Sequence, residues 1–337
     1  MKLTWHRQNL RLRHRFATSQ YGVDEKETIV VELEHEGVTG YGEVAPSRLY
    51  GQTLESSEAA LSGCARLLGD DPFALDTILR RLLDTWDGQR AAIAGVDSAL
   101  HDWIAKRLGV PVWRLLGLKR PSVMTTMTIG VADADETRTK VDEALAAGFR
   151  ALKVKVGTDD DLRTLEIVRA AFNGPLLLDA NQGWDPADAA RRIRELAQYR
   201  PAMIEQPLRR DDWRHLAELR EIDVAPIYAD ESCERVADVV KLKDVVDGIN
   251  IKFTKCGGIR AALEMIAVAR ALGLGVMLGC FACSGLAIAP ALAIASLVDF
   301  VDLDGHLLLS DDPFPGIACR EGIETLPDTA GLGVRPA

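Results

Sequence analysis

The feature that most limits what this chain can fold into is a series of eight short apolar runs between residues 122 and 303. The runs are SVMTTMTIG, ALKVKV, LLLDA, MIEQP, IYAD, GINIK, GVMLG and FVDL. Helical patterns, such as those at 135–147 and 261–272, lie between them, and this alternation predicts a parallel sheet covered by helices. No G-x-G-x-x-G follows the first run, so a barrel is favoured over an open dinucleotide-binding sheet.

Residues 1–118 have a different pattern, in which strands come first and helices second. The stretch TIVVELEHEGVTGYGEVAP has alternating apolar residues before Gly37 and a turn at that glycine, which predicts a β-hairpin. Helical patterns follow at 55–68, 74–83 and 91–108. The fold class expected for the whole chain is therefore α/β, with an α+β unit at residues 1–118 and a barrel at residues 119–317.

The composition excludes several classes of partner. The chain has 337 residues, of which 47% are hydrophobic, and a formal net charge of −10, which disfavours binding to nucleic acid or to an anionic membrane. The longest apolar stretch, GLAIAPALAIASLV, is too short for a bilayer and contains Pro290. The start MKLTWHRQ lacks a signal-peptide core, so we expect a cytoplasmic protein, and homo-oligomer formation stays open.

Side chains capable of chemistry occur where the predicted strands end. From the second predicted strand to the sixth, the strand ends that carry them are about 25 residues apart, the length of one strand–helix unit. In chain order they are Lys155, Asp179, Asn181, Glu205, Asp230, Glu231, Lys252, Asp302 and Asp304. A barrel would bring them together at its C-terminal mouth, where the active sites of this fold are built.

Three carboxylates on adjacent predicted strands indicate a metal site. Asp179, Glu205 and Asp230 are hard oxygen donors without a nearby His or Cys, and such a set selects Mg²⁺ or a similar cation. The alternative is three solvated strand ends. At equivalent positions of a barrel, however, three carboxylates would repel one another without a cation.

Two lysines flank that arc of carboxylates. Lys155 and Lys252 come from strands on opposite sides of it, and Lys153 shares a strand face with Lys155. A lysine acts as a base when a nearby cation favours its neutral form, and Lys153 would have that effect on Lys155. Two opposed bases suit removal of a proton from carbon on one face and its return on the other. For Lys252 the alternative is an ion pair with Glu231.

Five motifs resemble those of the enolase superfamily in order and spacing. They are K-V-K, D-A-N, I-E-Q-P, A-D-E-S and N-I-K-F-T-K-C-G-G-I, and the muconate-lactonizing enzyme subgroup is the most similar. YGEVAP resembles part of the family's capping domain, so the resemblance covers nearly the whole chain. It implies a modified (β/α)7β TIM-like barrel under an α+β capping domain, with residues 318–337 returning to that domain.

The resemblance also implies individual roles at the metal site. Asp179, Glu205 and Asp230 would bind Mg²⁺, and Asn181 and Glu231 would support these ligands. The metal would stabilise an enediolate formed from a bound carboxylate.

For the lysines, the resemblance implies that Lys155 and Lys252 are the paired acid/bases. Lys153 would tune Lys155 and contact the substrate carboxylate. Lys255 lies in the same motif as Lys252 but on a different face, so we expect it to be structural.

The ending V-D-L-D-G resembles the D-x-D motif of the dipeptide epimerases in this subgroup. Asp302 and Asp304 would receive the α-ammonium group of a dipeptide. Muconate cycloisomerases and o-succinylbenzoate synthases bind substrates without that ammonium group and have less need for two acids there. A solvated strand end is the alternative.

Two positions depart from the family pattern. Cys283 stands where a glutamate is common after the seventh strand. Tyr21 aligns with the arginine that pairs with the side-chain carboxylate of Ala-Glu substrates, which leaves room for an apolar or aromatic side chain. Arg48 and Tyr50, in the second capping loop, would also face the substrate.

These residues together predict an Mg²⁺-dependent dipeptide epimerase. It would invert the α-carbon of the C-terminal residue of an L,L-dipeptide by a two-lysine 1,1-proton transfer. The alternatives are an o-succinylbenzoate synthase, an N-succinylamino-acid racemase or a muconate-type cycloisomerase with the same metal and lysines. A catalytically silent, metal-stabilised barrel that binds a ligand is the alternative from another class.

Overall fold

Three long antiparallel strands and four helices form the N-terminal part of the computed structural model, which describes residues 1–337. The strands are β1 (Lys2–Ala17), β2 (Gly22–His35) and β3 (Val38–Val44), and the helices are α1 (Leu54–Leu67), α2 (Leu75–Trp86), α3 (Arg90–Leu108) and α4 (Val112–Leu115). The predicted hairpin joins β2 to β3, and Gly37 has a φ of 75° at its turn. Ile29, Val31 and Leu33 pack against the helices, whereas Val30 packs into the barrel core. The two faces of β2 therefore contact different parts of the molecule.

Eight parallel strands form the second part, and this confirms the predicted barrel. The strands are β5 (Met127–Ile129), β6 (Leu152–Lys155), β7 (Leu176–Asp179), β8 (Met203–Glu205), β9 (Ile227–Ala229), β10 (Gly248–Ile251), β11 (Gly275–Gly279) and β12 (Phe300–Asp302). The helices are α5 (Ala134–Ala146), α6 (Asp161–Ala171), α7 (Pro186–Leu196), α8 (Trp213–Arg220), α9 (Val236–Leu242), α10 (Phe253–Cys256), α11 (Ile259–Ala271) and α12 (Gly285–Ile294). Neighbouring strands pair in chain order from β5 to β12, so their carboxyl ends share one mouth.

Side chains close the remaining gap between β12 and β5. The Thr126 hydroxyl donates to Asp302 Oδ1 at 2.6 Å, and the Thr128 backbone N–H donates to Asp304 Oδ2 at 2.7 Å. The backbone contributes one hydrogen bond, from the Thr126 N–H to the Val301 carbonyl. The seam of the barrel thus depends on carboxylates at its mouth.

The prediction of SVMTTMTIG as a single strand is wrong. Residues Ser122–Met124 form β4, which pairs with β14 (Ile323–Thr325) and not with the barrel, and β14 in turn pairs with β13 (Ala318–Arg320). The chain leaves the sheet at Thr125, whose hydroxyl accepts from the Leu303 N–H at 2.9 Å. Only Met127–Ile129 joins the barrel.

The C-terminal residues contact both parts of the molecule. β13 and β14 pair with β4, whereas Leu332 donates its N–H to Asp102 on α3 at 2.8 Å. The Gly331 N–H also bonds to the Val110 carbonyl. None of the helices is long and apolar enough to cross a membrane.

Candidate active site

A cavity of about 590 Å³ lies between the N-terminal strands and the mouth of the barrel. The barrel contributes Lys155, Asn181, Asp230, Glu231, Lys252, Asp302 and Asp304 to its lining, and the N-terminal part contributes Tyr21, Arg48 and Tyr50. Ten of the thirteen residues predicted from the sequence thus line one cavity. The other three, Lys153, Asp179 and Glu205, are buried with at most 1% of their surface exposed.

The three carboxylates predicted to hold a metal lie on neighbouring strands. Asp179 and Glu205 are direct cross-strand partners at the ends of β7 and β8, and Asp230 follows the end of β9. Glu205 Oε1 accepts from the Asn250 amide at 2.7 Å. Its Oε2 forms an ion pair with the Lys153 ammonium, 2.8 Å away.

Burial and lysine contacts act in opposite directions on these carboxylates. Burial raises the pKa of Glu205 to about 7, with a further contribution from Asp179. Burial would do the same to Asp179, but Lys153 and Lys155 bring its pKa down to about 2. For Asp230, Lys252 and a second lysine outweigh burial and hold the pKa well below its usual range.

Lys153 lies at the centre of the acidic cluster. Its Nζ is 2.8 Å from Asp302 Oδ2, 2.8 Å from Glu205 Oε2 and 3.0 Å from Asp179 Oδ2. Burial opposes its charge, but these carboxylates raise the pKa of Lys153 well above its ordinary value. Its contact with a substrate carboxylate stays a prediction, since Lys153 lies below the cavity.

Lys155 and Lys252 enter the cavity from opposite flanks of the carboxylates. Lys155 Nζ donates to Asp179 Oδ2 at 2.6 Å, and Lys252 Nζ donates to Asp230 Oδ2 at 2.6 Å. The alternative pairing of Lys252 with Glu231 is absent from the structure. Burial opposes the charge of Lys252, but Asp230 raises its pKa above the ordinary value. Both ammonium groups therefore form ion pairs with carboxylates that are predicted to bind the metal.

Asp302 and Asp304 occupy the seam side of the cavity and lie on different elements. Asp302 ends β12, whereas Asp304 begins a single 3₁₀ turn, because the chain bends away after Leu303. Burial and repulsion from Asp302 raise the pKa of Asp304 to about 7. For Asp302, Lys153 and the Thr126 hydroxyl outweigh burial and lower the pKa.

Two further predicted residues lie beside the predicted metal ligands. The Asn181 backbone N–H donates to Asp179 Oδ1 at 2.9 Å, and its side-chain Oδ1 is buried without a partner. Glu231 Oε2 is likewise unpartnered. Burial and the neighbouring Asp230 raise the pKa of Glu231 to about 8. These atoms are available to a ligand or to water.

The N-terminal loops supply the cavity's outer wall. Tyr21 lines the cavity and is 48% exposed. The Tyr50 hydroxyl is buried without a hydrogen-bond partner, and its ring lies 6.5 Å from the ring of Phe281. Cys283, at the family's glutamate position, is buried behind this wall.

Sequence reasoning missed two polar residues at this site, Asn250 and Lys26, and assigned a third, Lys255, only a structural role. Asn250 lies two positions before Lys252 on β10, so alternation could have identified it as facing the same way. Lys255 donates to Asp230 Oδ1 at 2.5 Å from the turn after the strand, where a strand-face argument does not apply. Lys26 lines the cavity from β2. It lies within the polar stretch DEKE, which has no apolar alternation to indicate which side chain faces the interior.

The buried carboxylates fit a divalent cation by their chemistry. They are all hard oxygen donors, the type of ligand that Mg²⁺ prefers. In the arrangement observed, no three acidic side chains converge as ready-made ligands, because lysine ammonium groups take up their oxygens. A bound cation would replace those ammonium groups as the positive partner.

Comparison with known proteins agrees with this geometry. Residues 136–337 match the family described as "Enolase C-terminal domain-like", and residues 2–117 match the mandelate racemase / muconate lactonizing enzyme N-terminal domain. The chain belongs to the enolase superfamily. This membership confirms the resemblance drawn from the five motifs.

Several relatives of this enolase-superfamily chain have named activities. It is 40% identical to an L-Ala-D/L-Glu epimerase of Bacteroides thetaiotaomicron, over 99% of this chain and 88% of the relative. It is 37% identical to a hydrophobic dipeptide epimerase of Roseobacter litoralis, over 99% and 98%. The crystal structure of a dipeptide epimerase from Enterococcus faecalis with Mg and L-Leu-L-Tyr has a TM-score of 0.94, 31% identity and 98% coverage of both chains.

Proposed function

We propose that this chain is an Mg²⁺-dependent dipeptide epimerase that inverts the α-carbon of the C-terminal residue of an L,L-dipeptide. The observation that carries the proposal is the pair of lysines, Lys155 and Lys252, on opposite flanks of one cavity. Asp302 and Asp304 line the same cavity and provide acidic groups for an α-ammonium. The named activities of relatives 37–40% identical over nearly the whole chain support the same reaction.

Asp179, Glu205 and Asp230 would hold the cation. Mg²⁺ supplies positive charge next to the substrate's α-carboxylate and lowers the free energy of the carbanion formed at the α-carbon. With a cation present, the carboxylates no longer need the lysine ammonium groups as counter-ions. This change would release Lys155 and Lys252 toward the substrate.

Proton transfer then uses one lysine on each face of the α-carbon. One of Lys155 and Lys252, as the neutral amine, removes the α-proton and becomes an ammonium. The other, as an ammonium, donates its proton to the opposite face and becomes an amine. The α-carbon is inverted, and the two lysines have exchanged protonation states.

The acidic pair distinguishes a dipeptide from the other substrates of the superfamily. Asp302 and Asp304 would bind the free α-ammonium by charge-assisted hydrogen bonds. Lys153 already forms an ion pair with Asp302, so the Asp304 carboxylate is left for the substrate's ammonium group. Cycloisomerase and o-succinylbenzoate synthase substrates have no cation to place there.

Hydrogen exchange at the α-carbon tests the proposal. The enzyme with Mg²⁺ is incubated in D₂O with a mixed panel of L,L-dipeptides, an N-succinylamino acid and muconolactone, and deuterium uptake is measured by mass spectrometry. Uptake into dipeptides, with L,D products, is the expected result. Deuterium uptake or turnover with only the ammonium-free compounds would contradict the epimerase and favour a racemase or cycloisomerase activity. Ligand binding without exchange would indicate a catalytically silent barrel.

A further inference from the structure

The chain forms a single helical turn, α10, immediately after Lys252. The N–H groups of Lys255 and Cys256 donate to the Lys252 carbonyl at 2.9 and 3.1 Å, so the turn begins at the proposed acid/base itself. Thr254 lies inside the turn and is buried. The backbone position of Lys252 therefore depends on the groups that hold this turn in place.

The buried amide of Gln52 connects the turn to the N-terminal part of the molecule. Its Nε2 donates to the Thr254 carbonyl at 3.3 Å. Its Oε1 accepts from the Ala91 N–H, in the first turn of α3, at 2.7 Å. With only 3% of the residue exposed, both ends of the amide have protein partners. Gln52 thus joins three segments that are distant in sequence.

A second hydrogen bond joins the same loop to the turn in the other direction. The Thr254 hydroxyl donates to the Ala45 carbonyl at 3.2 Å. Residues 45–52 also include Arg48 and Tyr50, which line the cavity. The loop that forms part of the substrate wall is therefore bonded to the turn that carries Lys252.

Helix α3 holds the far end of the turn. Arg90 donates through Nη1 to the Cys256 carbonyl at 2.9 Å. Asp97 accepts through Oδ2 from the Ile259 N–H at 2.5 Å. The segment after Lys252 thus has hydrogen-bond partners in the N-terminal part along its whole length.

The segment after Lys155 is held differently. The Val156 N–H donates to the Asp179 carbonyl, and Asp161 accepts from the N–H groups that follow. Arg192 donates to the Thr158 carbonyl at 2.7 Å. All of these partners belong to the barrel. The N-terminal part therefore fixes by hydrogen bonds the backbone beside one of the two proposed acid/bases and not the other.

We propose that Gln52 and Thr254 are positioning residues that hold Lys252 for proton transfer on its face of the α-carbon. The proposal rests on the epimerase function. A lysine side chain is flexible, and in the free protein its ion pair with Asp230 fixes the Nζ of Lys252. If Asp230 takes a cation as its partner, that restraint is lost. The direction of the side chain then depends on the backbone of the turn.

Exchange without inversion distinguishes this role from a general loss of structure. Inversion of a dipeptide needs both lysines, whereas exchange of an α-proton for deuterium with retention needs only the lysine on that face. Lys252→Ala identifies the diastereomer that Lys155 deprotonates, because that diastereomer still exchanges. In Gln52→Met and Thr254→Val, inversion should fall by about tenfold, while retention exchange of that diastereomer should stay within about twofold of the wild type.

Matched variants control for the substitutions. Thr254→Ser keeps the hydroxyl donor and should restore inversion, whereas Thr254→Val removes it at nearly constant shape. Thr254→Val also keeps the bond between Gln52 and Ala91, so it remains informative if Gln52→Met does not fold. Ser19→Ala removes another hydrogen bond between the N-terminal part and the barrel, to the Ala180 carbonyl, and should keep the wild-type ratio of inversion to retention exchange.

Backbone amide exchange of the substrate-free enzyme provides a readout that does not depend on activity. Mass spectrometry of the full chain in D₂O should show exchange about tenfold faster in residues 253–259 of Gln52→Met and Thr254→Val, and unchanged exchange in residues 155–161. Unchanged amide exchange in both segments would overturn the proposal, as would an equal loss of inversion and of retention exchange. If the wild type exchanges no α-proton of any dipeptide, the epimerase function fails instead, and amide exchange still shows whether Gln52 and Thr254 hold the turn.

Discussion

The Asp304 carboxylate accepts a 2.7 Å hydrogen bond from the backbone N–H of Thr128 and so joins the last part of the barrel to its first strand. The group proposed to bind the substrate's ammonium is therefore also part of the barrel seam. The proposed binding role and the seam role belong to one side chain, and substitutions at this position can separate them.

Asp304→Asn should reduce activity while largely preserving the fold. Its amide oxygen can still accept from the Thr128 N–H, but the charge needed by an ammonium is lost. We expect kcat/KM for a dipeptide to fall about 10- to 100-fold, as for loss of one charge-assisted hydrogen bond. Asp304→Ala should in addition lower the free energy of unfolding by about 1–3 kcal/mol, because a buried N–H loses its partner. Equal thermal stability of the two variants would argue against the seam role.

Removing one lysine should leave chemistry on only one face of the α-carbon. Lys155→Ala and Lys252→Ala should each lower epimerisation by about 10²–10⁴-fold, the usual contribution of an acid/base group. One variant should still exchange the α-proton of the L,L-dipeptide with D₂O, and the other that of the L,D-dipeptide. NMR spectroscopy of both diastereomers measures this selectivity. Exchange of both diastereomers by either variant would contradict the two-base arrangement.

The dipeptide KM should fall as the pH rises through about 7. Burial and Asp302 raise the pKa of Asp304 to about 7, so below that pH its carboxyl is protonated and neutral in the free enzyme. Deprotonation creates the charge that attracts an ammonium. Steady-state kinetics between pH 5.5 and 8.5 should show this trend in the wild type and a flatter profile in Asp304→Asn. A wild-type KM that rises with pH would contradict a role for the Asp304 carboxylate in binding the ammonium group.

Glu43 should make the folded protein less stable as the pH increases. This carboxyl on β3 bonds to Ser284 before α12, and burial raises its pKa from 4.5 to about 7. Between these values the folded state binds more protons than the unfolded state, so the free energy of unfolding decreases with pH. Chemical denaturation at pH 5 and pH 8 should show a smaller decrease for Glu43→Gln. An unchanged pH dependence would exclude this linkage.

Mg²⁺ should stabilise the protein independently of catalysis. A cation that binds only the folded state raises the melting temperature in a concentration-dependent way. We expect this shift in the wild type and its loss in Glu205→Gln, which leaves an uncharged side chain of the same size. Calorimetry with added MgCl₂ or EDTA measures the effect. An equal rise in the melting temperature of Glu205→Gln would show that Glu205 is not a ligand of the cation.

Strand periodicity was sufficient to predict the barrel and most of the polar side chains that the barrel contributes to the cavity. Residues such as Lys155 and Lys252 sit at regular strand ends, so their convergence follows from the fold. Asp304 shows where this reasoning stops. Asp304 begins a short 3₁₀ turn after β12, and strand alternation carries no information about such a turn.

The N-terminal contribution was harder to predict. Lys26 approaches the cavity only because β2 packs one of its faces on the barrel, a contact between residues distant in sequence. The division of SVMTTMTIG had a similar cause, since β4 pairs with residues about 200 positions later. Both features depend on tertiary contacts rather than on local pattern.

The central position of Lys153 has a consequence for the size of the substrate. One ammonium group lies 2.8 Å from both Asp302 and Glu205, so the acids at the two ends of the proposed substrate site are held at a set separation. Each added residue lengthens an extended peptide by about 3.3–3.6 Å. A tripeptide would therefore be unable to present its amino and carboxyl termini to these groups at the same time, and the enzyme would discriminate by peptide length.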